Sequence, residues 1–220
     1  MVRLCPIVYD RNDPSTDFTC IIHKEAYKDA LFLFGDNFED RNKKYPGGNS
    51  ARIRPLTFLT PPKAMGISTG WSTKEGGFQV LCENTKMVIR MCYETVFLIL
   101  YENPHIQRVF FACDQKNMNS FGFSIFQPSF EVVNFLNKQL QSIPARARMN
   151  VAISATVISM MEDVIVKRRK YEKMTKTATN SLTYSLNFKA FDAKNSKKYN
   201  TPYIDKSYVD IFRNRKRVRE

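Results

Sequence analysis

Two short apolar runs, each followed at once by a polar segment, constrain the fold of this chain more than any other feature. Residues 31–34 (L-F-L-F) lead into Gly35-Asp36-Asn37, and residues 108–113 (R-V-F-F-A-C) lead into a polar loop. Short apolar runs bounded by turn residues predict buried β-strands, so we expect 35–37 to form a turn. Residues 64–67 predict a third short strand.

Two longer segments predict helices that cover these strands. Between 82 and 102 the apolar residues recur at helical spacing until Asn103-Pro104 ends the pattern, and a second helix is expected over 130–140. One or two helical turns are predicted within 23–30. Strand–loop–helix units in succession predict an α/β fold in which a mostly parallel sheet lies between helices.

Charge divides the chain into two parts. Residues 1–144 contain 16 Lys and Arg against 14 Asp and Glu, a net charge of +2, whereas residues 145–220 contain 18 against 7, a net charge of +11. We therefore expect an α/β domain over 1–144 and a basic C-terminal extension over 145–220. The extension predicts a helix over 151–174 and a strand or hairpin arm over 181–191.

The composition is that of a globular protein without a metal centre. Of the 220 residues 43% are hydrophobic, yet no apolar run is long enough to cross a bilayer. Asp10, Arg11 and Asp13 interrupt any signal peptide, so we expect an intracellular protein, cytoplasmic or nuclear in a host cell, with no membrane partner. The five cysteines lack metal-ligand spacing and the chain has two histidines, which predicts no metal and no cofactor.

Glycine marks a candidate ligand site in the front of the chain. All eight glycines lie between Gly35 and Gly122. Glycine lets a ligand approach the backbone, and parallel α/β sheets bind ligands at the carboxyl ends of their strands. Gly48-Asn49-Ser50 opens a short helix that Pro55 is expected to stop, and N–H groups at such a start suit phosphate. The predicted ligand-binding residues are Gly35, Asn37, Gly47, Gly48, Asn49, Arg52, Ser68, Thr69, Phe121 and Gly122.

Some of these side chains have two interpretations. Asp36 and Asp114 each follow a predicted strand, where a carboxylate can act as general base toward water, and they are the candidate catalytic residues. An Asp in a turn equally caps backbone N–H groups. Arg52 and Arg54 either bind a phosphate in two-pronged fashion or lie on the outer face of the short helix.

Three motifs within residues 30–70 resemble a group of phage- and virus-borne proteins. L-F-L-F-G-D-N-F-x-D-R, P-G-G-N-S-A-R-I-R and A-M-G-I-S-T occur here in that order. They are similar to the pattern F-G-D-N, then G-G-x-A with a following Arg, then G-I-x-T. The resemblance implies a viral origin and no particular function.

Over residues 20–143 the order of elements and loops resembles the macrodomain, a three-layer α/β/α module that binds ADP-ribose. The resemblance implies that Asn37 lies near the distal ribose and that Gly47 and Gly48 approach the diphosphate. It also implies that the segment 111–123 corresponds to the second phosphate loop. The ligand would then be held by backbone N–H groups around Gly47-Gly48 and Phe121-Gly122.

The basic extension predicts contact with a polyanion. Clustered cations release counterions from nucleic acid, and interleaved tyrosines can stack on exposed bases. A basic chain end is equally often a solvated tail. The predicted nucleic-acid-binding residues are Lys167, Arg168, Arg169, Lys170, Arg213, Arg215, Lys216, Arg217 and Arg219.

Two functions fit these patterns. In the first, a macrodomain-like domain binds, and in one version hydrolyses, an ADP-ribose-like or other nucleotide group, while the tail contacts nucleic acid or an acidic protein. In the second, a virus-encoded structural or nucleic-acid-binding protein keeps the α/β core without a working ligand site. The patterns leave the choice between enzyme and binding module open, and they predict no oligomeric state.

Overall fold

The computed structural model describes residues 1–123, 127–147 and 155–179. The chain divides into two units, Met1–Ser154 and Ala155–Glu220. The change in charge predicts a division at 144, and the short helix Ile143–Arg146 spans that point within the first unit. Ile143 is fully buried, which ties this helix to the first unit's core.

The first unit contains a four-stranded, wholly parallel sheet. Its strands are β1 (Arg3–Ile7), β2 (Ala30–Asn37), β3 (Ala64–Gly70) and β4 (Arg108–Ala112), in the order β1-β4-β2-β3. This arrangement confirms the predicted α/β fold with a parallel sheet. Parallel strands need crossovers on the faces of the sheet, and the intervening helices supply them.

Strand β2 is longer than its apolar run predicts. The predicted turn at 35–37 is wrong, because Gly35 and Asp36 pair with Ile67 and Ser68 of β3, and Asn37 pairs with Gly70. The register shifts between Asp36 and Asn37. A shift of this kind re-aims side chains at the end of a strand.

Strand β1 was not among the predicted strands. Its sequence, R-L-C-P-I, contains a proline, which cannot donate a ladder hydrogen bond. The strand lies at the edge of the sheet beside β4, where one side of the backbone needs no partner strand. An edge position therefore accommodates Pro6.

Both predicted long helices are confirmed. They are α2 (Glu83–Glu102) and α3 (Phe130–Gln141), which precede α4 (Ile143–Arg146). Helix α2 packs against β3, where the Ser68 N–H lies 3.4 Å from Cys92 Sγ. The turns predicted within 23–30 are a 3-10 helix over Glu25–Tyr27, and α1 (Phe18–Ile21) precedes it.

The other side of the sheet is covered by α1 and a 3-10 helix over Asn49–Phe58. Their apolar residues share one core with β2, β3 and β4, which comprises Phe18, Ile21, Ile22, Ala30, Phe32, Phe34, Ala51, Ile53, Ala64, Phe110 and Ala112. The predicted stop at Pro55 is wrong. The helix continues past it because Ile53 lies in the core and Arg54 is bonded to β2.

The second unit contains the helix α5 (Ala155–Thr179), which overlaps the helix predicted over 151–174. Lys167, Arg168, Arg169 and Lys170 lie on α5. The predicted strand over 181–191 and the basic residues from Arg213 onward lie outside the described residues. Among the helices of the described ranges, none is long and apolar enough to cross a membrane.

Candidate functional site

A cavity of ≈ 520 Å³ opens at the carboxyl ends of β2 and β3. Three parts of the chain contribute most of its wall: the end of β2, the loop and helix start that follow it, and the segment after β4. Thr69 at the end of β3 and Thr73 after it complete the wall. The described lining residues are Gly35, Asp36, Asn37, Asp40, Lys43, Tyr45, Pro46, Gly47, Gly48, Asn49, Ser50, Ala51, Arg54, Thr69, Thr73, Gly122 and Phe123. This is the edge of a parallel sheet at which α/β proteins bind ligands.

A buried ion pair joins two walls of the cavity. Arg54 donates from Nε to Asp36 Oδ2 at 2.8 Å and from Nη2 to Asp36 Oδ1 at 2.6 Å. Both side chains are almost fully buried, at 4% and 2% exposure. Arg54 Nη1 also donates to the carbonyl oxygen of Tyr45 at 3.2 Å. The pair therefore fixes β2, the loop and the 3-10 helix relative to one another.

Gly47 is required by the close approach of this arginine. A Cβ at position 47 would lie 2.7 Å from Arg54 Nη2 and 2.7 Å from Ala51 Cβ. The Gly47 N–H donates to the Ala51 carbonyl oxygen at 2.9 Å, which closes the turn. Gly48 differs, because no described atom lies within 4 Å of the place its Cβ would take. The backbone at Gly48 is therefore open to the cavity.

Asn37 is the centre of a polar network on the wall. Its side-chain Nδ2 donates to Asp40 Oδ2 and to Thr73 Oγ1, each at 3.2 Å. Asp40 also forms an ion pair with Lys43. The Lys43 ammonium lies 5.5 Å from the centre of the Tyr45 ring, within cation–π range. These contacts hold the polar loop after β2 against the strand end.

The segment after β4 reaches the cavity at Gly122. The Gly122 N–H donates to the Ala112 carbonyl oxygen at 2.8 Å, and a Cβ at 122 would lie 2.5 Å from the Cys113 carbonyl oxygen. Only glycine allows this approach. Phe121 N–H donates to Asn137 Oδ1 at 3.0 Å.

These bonds change the expectation for phosphate binding. The N–H groups of Gly47, Phe121 and Gly122, all predicted to hold phosphate, already donate within the protein. An N–H group with an internal partner contributes little to a ligand, since binding would first break that bond. The backbone at Gly48, where the 3-10 helix begins, is the part of this surface that is open to a phosphate.

The structure brings most of the predicted ligand-binding and catalytic residues to one cavity and places four of them elsewhere. The residues that line it are Gly35, Asp36, Asn37, Gly47, Gly48, Asn49, Thr69 and Gly122. Arg52 instead forms an ion pair with Asp17 at 3.0 Å, on the side of the 3-10 helix that faces α1. Ser68 is buried against Cys92 of α2.

The other two belong to the loop after β4. Phe121 is fully buried and stacks on Phe111 with ring centres 6.0 Å apart, so its side chain belongs to the core. Asp114 is exposed, and its Oδ1 accepts the Lys116 N–H at 2.7 Å. Asp114 thus caps a turn, which was one of its two interpretations, and it is not among the described lining residues.

Several lining residues were not predicted from sequence. Asp40 ends a 3-10 helix over Phe38–Asp40, Lys43, Tyr45 and Thr73 lie in loops, and Phe123 follows the last predicted glycine. For Asp40, Lys43 and Tyr45, the sequence feature that could have indicated them is their position between the F-G-D-N and P-G-G-N motifs. Nothing in the sequence indicates Thr73, because only the fold brings it to Asn37.

Burial and pairing set the charges of the two lining carboxylates. Burial raises the pKa of Asp36 above its ordinary value, although Arg54 and the Asn37 N–H act in the opposite direction. Burial also raises the pKa of Asp40, but hydrogen bonds from Lys43 and Asn37 outweigh it, and the pKa is lowered overall. Asp40 is therefore an anion at neutral pH.

No metal site accompanies the cavity in the described ranges, where no group of three or more His, Cys, Asp or Glu side chains is placed to bind an ion.

Comparison with known protein families, with curated proteins and with solved structures finds no match for this chain. A functional assignment therefore depends on the cavity and its lining residues.

Proposed function

We propose that the first unit is a macrodomain-like module that binds an ADP-ribose-like or other nucleotide group in this cavity. One observation carries the proposal: Asn37, Gly48 and Gly122, which are far apart in sequence, line a single cavity at the carboxyl edge of a parallel sheet. Its volume of ≈ 520 Å³ lies within the range of ligand pockets. The open space at Gly48 allows the ligand to reach the backbone.

The proposed ligand lies along the three walls. A phosphate sits at the start of the 3-10 helix, where Gly48 leaves the backbone open and helix N–H groups attract anions. The sugar lies against Asn37, and the rings of Tyr45 and Phe123 offer aromatic surface to a base. Polar groups on one wall and aromatic groups on another are typical of nucleotide pockets.

Binding, rather than hydrolysis, is the function that the side chains support best. The two oxygens of Asp36 accept three hydrogen bonds, from Arg54 and from the Asn37 N–H, so this carboxylate is engaged in holding the fold. Asp114 caps its own turn. A hydrolytic step would have to use Asp40, the other carboxylate among the described lining residues.

A second candidate function is nucleic-acid binding without a nucleotide in the cavity. The run Lys167-Arg168-Arg169-Lys170 on α5 favours it, together with the net charge of +11 over 145–220. Such binding would weaken steeply with salt. A variant lacking residues 195–220 would then lose affinity for DNA, whereas Asn37→Ala would not change it.

Calorimetry with ADP-ribose, at low and moderate salt, tests the first proposal. We expect binding by the wild type, and a loss of at least about tenfold in affinity for Asn37→Ala and for Gly48→Glu, as expected for losing a hydrogen bond or filling the site. Val80→Glu adds a charge at a side chain that is 68% exposed and outside the cavity lining, and it serves as control. Equal affinity for ADP-ribose in all four proteins would refute the site.

A further inference from the structure

The polar wall of the cavity presents acceptors to a ligand. Asn37 donates its amide N–H groups to Asp40 Oδ2 and Thr73 Oγ1, so the amide oxygen is the atom left to meet a ligand. Asp40 can only accept, which fixes this orientation of the amide. An ionised carboxylate has about four acceptor positions, and Asn37 and Lys43 occupy two of them on Asp40.

The charges of the lining side chains cancel in pairs. Asp36, Asp40, Lys43 and Arg54 are the charged residues in the described lining, two of each sign. Arg54 is bonded to Asp36, and both are almost fully buried. Lys43 is bonded to Asp40, although 42% of the lysine side chain is exposed. A phosphate would therefore meet cations that already have a carboxylate partner.

Asp40 determines whether Lys43 is available to bind an anion. Its carboxylate repels an anion directly and also neutralises the lysine that could bind one. The Asp36–Arg54 pair cannot open in the same way, because separating two buried charges is strongly unfavourable. Sugar hydroxyls, in contrast, are uncharged donors that match the acceptors of Asn37 and Asp40.

We infer that Asp40 makes this cavity select for ligands with free sugar hydroxyls and prevents additional phosphates from increasing the affinity. The inference rests on the proposed function and narrows its ligand class. The sugar end of the ligand enters the cavity, and a phosphate is held at the backbone near Gly48. Added phosphates gain nothing from the side chains of the described lining.

A series of adenine nucleotides tests this selection by calorimetry. For the wild type we expect ATP to bind within about threefold of AMP, and 2′,3′-dideoxy-AMP to bind about tenfold more weakly than AMP. AMP and its dideoxy analogue carry the same charge, so their difference measures the hydroxyl contacts. In Asp40→Asn the lysine is released, and ATP is expected to bind at least about tenfold more tightly than AMP.

Asp13→Asn removes the same charge on a loop that does not line the cavity, and it should keep the wild-type order of affinities. Steadily tighter binding from AMP to ATP by the wild type would overturn this inference and leave the proposed function standing, as would equal affinity for AMP and its dideoxy analogue. An Asp40→Asn protein with the wild-type order would also overturn it. Binding of no nucleotide by the wild type would overturn both.

Discussion

Arg54 and Asp36 form a bidentate ion pair in the wall of the cavity, although they are 18 positions apart in the chain. The pair attaches the 3-10 helix to the end of β2. The strand contributes Asn37 to the cavity, and the helix contributes the open backbone at Gly48. One buried contact therefore sets the distance between two of the three walls.

Removing one member of this pair should destabilise the protein strongly. We expect Arg54→Met to lower the free energy of unfolding by about 3–5 kcal/mol, because it leaves the Asp36 carboxylate buried without its partner. Urea unfolding followed by circular dichroism measures this change. The double variant Asp36→Leu/Arg54→Met should lose less than the sum of the two single losses. Additive losses would mean that the two residues do not act as a pair.

The two adjacent glycines should respond differently to the same substitution. Gly47→Ala places a methyl group 2.7 Å from both Arg54 Nη2 and Ala51 Cβ, and we expect a loss of about 1–3 kcal/mol in stability. Gly48→Ala meets no described atom within 4 Å, and its φ of −83° suits alanine, so stability should change by no more than about 0.5 kcal/mol. Thermal unfolding of both variants measures the contrast. Equal losses would contradict the position of Arg54.

A glycine on the third wall offers a similar comparison. A Cβ at Gly122 would lie 2.5 Å from the Cys113 carbonyl oxygen, and backbone cannot move aside without shifting the loop. We expect Gly122→Ala to cost about 1–3 kcal/mol and to weaken nucleotide binding. At Gly35, which also lines the cavity, the nearest atom would be Thr69 Cγ2 at an ordinary 3.7 Å. Gly35→Ala should therefore be tolerated, and greater damage there than at Gly122 would contradict the geometry.

The other end of the sheet provides a test that depends on pH. Arg108 Nε donates to Asp29 Oδ1 and Oδ2 at 3.0 and 3.1 Å, and these hydrogen bonds lower the pKa of Asp29 below its ordinary value of 3.8. A carboxyl with a lowered pKa stabilises the fold above its ordinary pKa and loses that contribution as the pH falls through the folded-state pKa. Asp29→Asn should therefore be less stable than wild type at pH 7.

The difference between the two proteins should shrink as the pH falls below about 4. Urea unfolding at a series of pH values measures it. Asp10→Asn removes the charge of an exposed carboxyl whose Oδ1 accepts the Asn12 N–H, a hydrogen bond that asparagine can keep, and it serves as the comparison for a single lost charge. A stability difference for Asp29→Asn that stays constant across this range would contradict the ion pair.

The apolar runs predicted the sheet because a strand covered on both faces reads as continuous hydrophobic sequence. Residues 31–34 and 108–112 lie in the two central strands, and the long amphipathic pattern at 82–102 matches α2 closely. The edge strand β1 was not predicted because it is short, half-buried and contains Pro6. The local pattern thus identified three of the four strands, including β3 at one edge of the sheet, and missed β1 at the other edge.

The residues that line the cavity were predicted from sequence where they are glycines, whereas the contacts between distant side chains were not predicted. Gly35, Gly48 and Gly122 were predicted because each is a glycine at an expected turn or loop, although Gly35 lies within β2. The sequence does not indicate the side-chain partners of Asp36, Arg52 and Asn37, because these partners lie 18, 35 and 36 positions away and are brought close only by folding. Both residues are arginines, yet Arg52 pairs with Asp17, which precedes α1, and Arg54 pairs with Asp36 near the end of β2.

A crystal of the protein soaked with ADP-ribose gives the most direct test of the claim that three chain segments form one nucleotide cavity. We predict electron density for the ligand between Gly48 and Gly122, with its sugar against Asn37. Density at another surface, or an empty cavity at a ligand concentration that saturates binding in solution, would contradict the claim.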